Sequence, residues 1–348
     1  MKLSVMIPVY NGKKYLGEAI ESVLSQPVKD LEIIVVDDGS SDGTAELCDS
    51  YAREYENIVV LYQKNQGVSA ARNQGILRAQ GDYLLFLDAD DRFVKNAIDQ
   101  DMIRSCEQGY DVIMYSSLAS NVARRRYRID MAVRDQIVPG GRALPISGHF
   151  GSCLYRRKML LDHHVYFDEG IRLNEDEAFK MKAMYAAELI QCRSRFLYIY
   201  STTPGSARYT ERHIYDLVLA WEKASEWLDR YGQKGDVKQA QAYIQQKRWS
   251  RLLLYSKLLI QQGYSGKELR QELERLRVYD GLRTLPVNYM IPGQRNDLLL
   301  FQENFAGFVR AARIEGAKLF LGRLLLKAAP VRYIRDLKRM PWNSTDQI

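Results

Sequence analysis

The amino-acid sequence predicts an α/β protein, with a doubly wound, mostly parallel sheet followed by a helical C-terminal subdomain. Three observations lead to this fold class. Four short segments before residue 90 are apolar almost throughout, as strands are when helices cover both faces of a sheet. Segments with helical spacing of apolar side chains separate those strands. Beyond Pro204 the periodicity becomes helical.

Strands and helices alternate through the first 107 residues. The predicted strands are 3–9, 31–36, 58–62 and 83–87, and the predicted helices are 15–24, 44–56 and 68–79. Because helices separate the strands, we expect successive strands to run in the same direction. The loops that follow them then meet at one edge of the sheet.

The pattern loosens after residue 110. Strands are predicted at 111–117 and 196–200 and a helix at 175–188, whereas 118–150 is expected to be irregular. After a boundary near 205–210, six apolar residues share one helical face, and a further helix is predicted through about 236–262. Those six residues are Ile214, Leu217, Val218, Trp221, Ala224 and Leu228.

The net charge is concentrated in one segment. Hydrophobic residues make up 46% of the chain and charged residues 27%, which excludes a disordered or collagen-like protein. The formal net charge is +7, and residues 308–340 account for it, with nine Lys and Arg against Glu315 and Asp336. This local basic segment favours a local anionic partner and argues against nucleic-acid binding as the main activity.

Cysteine spacing and hydropathy predict a cytoplasmic location. The four cysteines lie far apart with no CxxC pair, which is typical of a reducing compartment rather than of a disulfide framework or a zinc ribbon. The apolar segment Leu3–Val9 is too short for a signal peptide, and no run of about 18 apolar residues is present. We therefore expect no membrane-spanning helix.

Polar side chains with complementary chemistry follow the first four predicted strands. An aromatic ring can stack on a base, a carboxylate can accept from base or ribose groups, and an Arg can bind phosphate through two N–H groups. Because ligands bind at the carboxyl ends of parallel strands, these side chains suit a nucleoside diphosphate. They lie in Pro8–Gly12, Asp37–Ser40, Lys64–Asn73 and Asp88–Asp91.

The segment Asp88-Ala89-Asp90-Asp91 indicates a divalent cation. Three acids within four residues repel one another, and Mg²⁺ or Mn²⁺ would relieve that repulsion. The chain has no GxxxxGK[ST] sequence and no GxGxxG after its first strand, so metal and Arg would hold phosphate. The alternative is that Asp90 or Asp91 caps a helix that starts near Val94.

A second acidic segment, Asn174-Glu175-Asp176-Glu177, opens the helix predicted at 175–188. One hypothesis is a general base that faces the acceptor. The alternative is that the acids stabilise the helix N-terminus by capping and through the helix dipole. The four histidines, including His149, show no metal-ligand spacing and are interpreted as surface or core residues.

Five motifs in this order resemble bacterial glycosyltransferase family 2. The resemblance covers about residues 1–210 and implies a GT-A-type fold and a nucleotide-sugar donor. It implies a catalytic domain at 1–210, divided into a nucleotide-sugar-binding half at 1–107 and an acceptor half at 108–210. A helical region with a basic tail, 211–348, would follow. The motifs are PVYN (8–11), VDDGSSDGT (36–44), NQGVSAARNQG (65–75), GDYLLFLDADD (81–91) and NEDEAF (174–179).

The resemblance also implies roles for the matching donor-side residues. Pro8, Tyr10 and Asp38 would line the nucleoside pocket. Arg72 would lie near the diphosphate or the base edge, and Asp88 would contact the ribose or the donor sugar.

The implied enzyme is a metal-dependent, inverting, hexosyltransferase-type glycosyltransferase. Asp90 would hold Mn²⁺ or Mg²⁺, and Asp176 would be the catalytic base. The donor would be a UDP-sugar and the acceptor a glycan or lipid-linked glycan, in bacterial surface polysaccharide or exopolysaccharide synthesis. Residues 308–340 would bind an anionic membrane surface at the inner face of the cell membrane or form a solvated helical face. The C-terminal helices could also pair two copies of the chain.

Two other functions would also account for part of this pattern. A nucleotidyltransferase also combines an α/β sheet, a nucleotide and a metal, but it would normally show a Gly-rich basic loop after the first strand, where this chain has YNGKKY. A basic membrane- or nucleic-acid-binding protein with a degenerate enzyme domain is the other alternative. The intact acids Asp38, Asp88, Asp90 and Asp176 argue against it.

Overall fold

A computed structural model describes residues 1–121, 126–141, 149–202, 210–232 and 237–326. The described chain divides into two compact units. The α/β unit consists of the described residues between 1 and 204, together with the described residues of 230–237. The helical unit consists of residues 210–229 and 238–326. Residues 327–340 of the basic segment lie outside the described residues.

The first half of the α/β unit is a parallel sheet. Its strands are β1 (Leu3–Val9), β2 (Leu31–Asp37), β3 (Ile58–Tyr62) and β4 (Tyr83–Phe86), and the helices between them are α1 (Leu16–Leu24), α2 (Thr44–Glu54) and α3 (Val68–Arg78). The spatial order is β3-β2-β1-β4. Strands β1 and β2 are buried at every position, which explains their apolar sequences. The predicted fold class is confirmed, and each predicted element here ends within two residues of the observed one.

The second half of the sheet is mixed. Its strands are β5 (Arg92–Phe93), β6 (Val112–Asn121), β7 (Arg126–Met131), β8 (Gln136–Pro139), β9 (Cys153–Arg156) and β10 (Leu189–Thr202), and its helices are α4 (Gln100–Glu107), α5 (Arg157–Asp162) and α6 (Glu175–Ala186). Strand β9 lies between β4 and β6 and is antiparallel to both. Strands β6 and β10 are parallel, and β5, β7 and β8 add antiparallel pairs.

The expectation that residues 118–150 are irregular is wrong for the described part of that range. Strand β6 continues to Asn121, and β7 and β8 follow it. Both added strands expose apolar side chains, with Ile129 37% and Ile137 56% exposed, so neither shows the buried apolar run of β1. They pair with β6 and β10, and that pairing depends on the partner strands rather than on their own periodicity.

An aromatic cluster holds α6 against the sheet. The ring of Phe179 stacks on that of Phe167 with centroids 3.9 Å apart and meets Phe86 of β4 edge-on at 5.5 Å. Tyr155 of β9 contacts Phe179 at 5.3 Å. Phe179 lies about one helical turn after the first residue of α6, so this packing holds the N-terminal turn of the helix at the sheet.

The helical unit begins with α7 (Glu211–Tyr231) and α8 (Val237–Gln261) and continues with α9 (Gly266–Arg275), α10 (Tyr279–Thr284), α11 (Arg295–Glu303) and α12 (Phe305–Leu326). All six residues predicted to share a face of α7 are buried. Phe308 and Ala312 of α12 are each 1% exposed, and Lys257 of α8 pairs with Asp297 and Glu315. The first turns of the basic segment therefore pack into this unit. Among the described residues, no helix is long and apolar enough to span a bilayer.

Candidate active site

A cavity of about 530 Å³ lies at the carboxyl ends of β1, β2 and β4. The loops after these strands converge here because the strands are parallel and adjacent. Six of the seven predicted site residues line the cavity, and the seventh, Asp176, does not. The six are Pro8, Tyr10, Asp38, Arg72, Asp88 and Asp90.

Tyr10 stands at the rim of the cavity with 54% of its surface exposed. Hydrogen bonds join the loop that carries Tyr10 to the segment after β2. Asn11, with a positive φ of 50°, accepts at Oδ1 from the backbone N–H of Ser41 over 2.8 Å, and the Gly12 N–H donates to Thr44 Oγ1 over 3.0 Å. A large exposed aromatic ring on a fixed loop is a suitable surface for a planar ligand.

Asp38 is only 3% exposed, and its carboxylate organises the loop after β3. Its Oδ1 accepts from Gln63 Nε2 over 2.7 Å and from the Gln66 N–H over 2.8 Å, and its Oδ2 accepts from the Gly67 N–H over 2.8 Å. Gly67 precedes α3 and has a φ of 94°, which favours glycine. Asp38 therefore shapes the cavity wall as well as lining it.

Arg72 of α3 is a buried bridge between two carboxylates. Its Nη2 donates to Asp88 Oδ1 over 2.7 Å, and its Nη1 donates to Glu175 Oε1 over 2.9 Å. The guanidinium centre lies 4.6 Å from the ring centroid of Phe150 and 5.0 Å from that of Phe167. Burial lowers the pKa of the Arg72 guanidinium, but Asp88 and Glu175 outweigh burial and raise the pKa above its usual value.

The acids after β4 have different environments. Asp91 is 2% exposed and accepts from Tyr198 Oη and from the Ser201 N–H, each over 2.6 Å, and burial raises the pKa of its carboxyl. Burial and Asp88 raise the pKa of Asp90, which lines the cavity. The alternative that Asp90 or Asp91 caps a helix near Val94 is wrong. Residues 92–93 form β5, and the next helix, α4, is capped by Asp99.

The two acids at the start of α6 are also unlike each other. The Glu175 side chain is 10% exposed and holds Arg72, whereas Asp176 is half-buried. Asp176 Oδ1 accepts from the Glu177 N–H over 2.8 Å. Asp176 therefore helps to stabilise the N-terminus of α6, in addition to any chemical role. Burial and then Asp176 raise the pKa of the Glu175 carboxyl, and Arg72 opposes the rise. The Arg72 Nη1–Glu175 Oε1 distance of 2.9 Å is that of a charge-assisted hydrogen bond.

Tyr200 also lines the cavity although no sequence motif indicates it, and His149 and Tyr198 pack beside it. The expectation that His149 is a surface or core residue agrees with its half-buried ring. Its ring centroid lies 4.6 Å from that of Tyr198 and 5.7 Å from that of Tyr200, and its Nδ1 accepts from the Gly151 N–H over 3.3 Å. Burial lowers the pKa of His149, and Asp88 and Asp176 oppose this. No motif could have identified it, because the pairing of β6 with β10 brings the tyrosines into place.

The comparisons with known proteins agree with this geometry. Residues 4–165 match the family model described as Glycosyl transferase family 2, a range that includes the six cavity residues but not Asp176. The uncharacterized glycosyltransferase EpsJ of Bacillus subtilis (strain 168) is 28% identical over 295 residues, which is 81% of this chain and 85% of EpsJ.

A second relative is known both by sequence and by structure. The poly(ribitol-phosphate) beta-N-acetylglucosaminyltransferase TarS of Staphylococcus aureus (strain Mu50 / ATCC 700699) is 29% identical over 208 residues, 58% of this chain and 36% of TarS. A crystal structure of S. aureus TarS 1-349 in complex with UDP-GlcNAc matches with a TM-score of 0.65 and 23% identity, over 91% of this chain and 89% of that chain. This structural likeness shows a shared fold.

The parallel half-sheet, the cavity at its carboxyl edge and these relatives define a glycosyltransferase. Residues 4–165, which contain four of the five motifs, match glycosyl transferase family 2, in agreement with the resemblance that the motifs predict.

Proposed function

We propose that this glycosyltransferase moves a hexose from a UDP-sugar to a hydroxyl of a glycan or lipid-linked glycan, with inversion at the anomeric carbon. The observation that carries the proposal is the convergence of six predicted donor residues on one cavity. The fold shared with TarS, which was solved with UDP-GlcNAc, supports a UDP-sugar as the donor. The poly(ribitol-phosphate) beta-N-acetylglucosaminyltransferase activity of TarS also supports a role in cell-surface polysaccharide synthesis.

The donor side would act through binding. Tyr10 would stack on the base, and Asp38 would accept from a base or ribose group beside the loop that it organises. Asp88, held by Arg72 and with 28% of its side chain exposed, would accept from a hydroxyl of the ribose or the donor sugar. All three contacts would hold the donor in one orientation before the acceptor arrives.

The acceptor side would act through proton transfer. Asp176 would take the proton of the acceptor hydroxyl while the hydroxyl oxygen attacks the anomeric carbon. The bond from that carbon to the diphosphate oxygen breaks in the same displacement, and its electron pair leaves with the nucleoside diphosphate. One displacement on the opposite face inverts the anomeric centre.

Mn²⁺ or Mg²⁺ is the proposed cofactor. The described residues give the Asp90 carboxylate no ion pair, although it lines the cavity. Nor do these residues contain a group of three His, Cys, Asp or Glu side chains that could hold a metal. Asp90 would therefore be joined as a ligand by phosphate oxygens and water, as magnesium sites commonly are. When bound, the cation would offset negative charge on the departing diphosphate.

Donor hydrolysis is the experiment that tests this proposal most directly. The full chain is incubated with UDP-, GDP- and dTDP-sugars, with Mn²⁺, with Mg²⁺ or with a chelator, and release of the nucleoside diphosphate is measured. We expect release from one or more UDP-sugars, in a metal-dependent way. Transfer of a nucleotidyl group to a sugar phosphate would instead favour the nucleotidyltransferase.

The basic segment 308–340 is proposed to bind an anionic membrane surface, where lipid-linked acceptors lie. Each Lys or Arg near such a surface contributes about 1 kcal/mol. Because Phe308 and Ala312 are buried, the segment is best shortened after Leu326, which removes Lys327, Arg332, Arg335, Lys338 and Arg339. The full chain should sediment with anionic vesicles at low salt, and the shortened chain should sediment less. Equal sedimentation would reject the proposal.

A further inference from the structure

Arg72 joins three parts of the chain that are distant in sequence. It lies on α3, Asp88 follows β4, and Glu175 is the first residue of α6, 103 positions from Arg72. Both carboxylates contact terminal nitrogens of the same guanidinium, at 2.7 and 2.9 Å. The rings of Phe150 and Phe167 lie close to that guanidinium, so it has little room to rotate. The position of Glu175 is therefore set by Asp88.

The N-cap residue of helix α6 does not cap the helix with its side chain. This residue, Asn174, has a positive φ of 68° and makes no side-chain capping bond. The ion pair of Glu175 with Arg72 restrains the first turn, in addition to the packing of Phe179 against the sheet. Asp176 is the next residue, with its Cα about 3.8 Å away. Any shift of Glu175 therefore moves the predicted base.

A separate contact restrains the body of α6. The buried Lys182 Nζ donates to the Tyr166 carbonyl over 2.6 Å and to Asp168 Oδ2 over 2.9 Å, two turns beyond Glu175. This contact holds the helix without touching Asp88 or Arg72. It offers a matched control, because a change at Lys182 loosens α6 but leaves the bridge to Asp88 intact.

We infer that Glu175 is a positioning residue, which acts through Arg72 to hold Asp176 at a fixed distance from Asp88 and from the donor bound there. This inference rests on the proposed function, with Asp176 as the base. It also assigns different roles to the two neighbouring acids, because the Glu175 carboxylate binds Arg72 whereas Asp176 is half-buried. The bridge thereby couples donor binding to the alignment of the base.

The test is a double-mutant cycle on the full chain. Glu175→Ala should lower kcat for transfer by about 10- to 100-fold, since a displacement of about 1 Å costs about that much. The KM for the donor should change less than about threefold. Glu175→Gln keeps an oxygen that can accept from Arg72, so it should recover most of kcat. In an Asp176→Asn background, Glu175→Ala should have little further effect.

Several results would overturn the inference. If Glu175→Ala lowers kcat equally in the wild-type and Asp176→Asn backgrounds, Glu175 does not act through Asp176. The inference also fails if Lys182→Met lowers kcat as much as Glu175→Ala does. If Glu175→Ala does not fold, the cycle is run with Glu175→Met, which fills the same space but offers Arg72 no acceptor, and additive losses again reject the inference. An Asp176→Asn variant with unchanged turnover would instead reject the proposed base, which separates the two failures.

Discussion

The two halves of the α/β unit differ in how their site residues are positioned. In residues 1–107, Tyr10, Asp38, Asp88 and Asp90 follow the strands that position them, and those strands are neighbours in one parallel sheet. In residues 112–202, the predicted base lies on α6, whose start depends on Arg72 and Asp88 from the first half. The donor side is thus locally determined, whereas the acceptor side depends on long-range contacts. We therefore expect changes in the first half to alter affinity and changes in the second to alter turnover.

The largest expected effect is on the acceptor side. Asp176→Asn removes the proposed base without changing the size of the side chain, and the new amide oxygen can still accept from the Glu177 N–H. Turnover should fall by roughly 10²–10⁴, the usual range for general base catalysis. The KM for the donor should stay nearly constant in steady-state assays. Asp162→Asn, an exposed change on α5, is the control. Unchanged turnover would leave Asp176 with its role at the helix N-terminus alone.

A donor-side change should instead act on affinity. Asp90→Ala removes the carboxylate proposed to hold the metal, while the buried contacts of Asp91 with Tyr198 and Ser201 remain. The gain in UDP affinity that Mn²⁺ provides should fall by about 10- to 100-fold, and this can be measured by calorimetric titration with and without metal. Retention of the full metal-dependent gain would remove Asp90 from the metal site.

Asp38 provides the second donor-side comparison. Asp38→Asn keeps one acceptor oxygen but places an amide beside a backbone N–H donor, so one of its three bonds to residues 63–67 is lost. We expect UDP binding to weaken by about 1.5–3 kcal/mol, the range for hydrogen bonds to charged groups. The kcat should change little. Asp49→Asn, exposed on α2, is the matched control. A fall in kcat at unchanged affinity would contradict the division between the halves.

The same division explains what could be predicted from sequence. Strands β1, β2 and β4 are buried runs, so their ends and the residues that follow them, from Pro8 to Asp91, are visible in the sequence. The partners of Arg72 are not, because nothing local indicates that Glu175 will meet it. Strands β7 and β8 were missed for a related reason, since antiparallel pairing with β6 and β10 stabilises them. Sequence patterns report local burial, whereas the acceptor side is assembled by contacts between distant segments.

The smallest expected effect concerns His149, on the acceptor side. Burial lowers its pKa in the folded protein below the ordinary value of 6.5, although Asp88 and Asp176 oppose this. Below that pH the unfolded chain therefore binds more protons than the folded one, so stability falls as the solution is acidified through this range and is retained above it.

His149→Asn keeps an acceptor for the Gly151 N–H and removes the titrating ring. Its melting temperature should fall less than that of the wild type between pH 7 and pH 5, as measured by differential scanning calorimetry. His164→Asn, at an exposed position with a φ of 52° that Asn tolerates, is the matched control for the loss of a histidine. An equal loss in all three proteins would show that carboxylates elsewhere dominate the acid response and that the burial of His149 contributes nothing measurable to it.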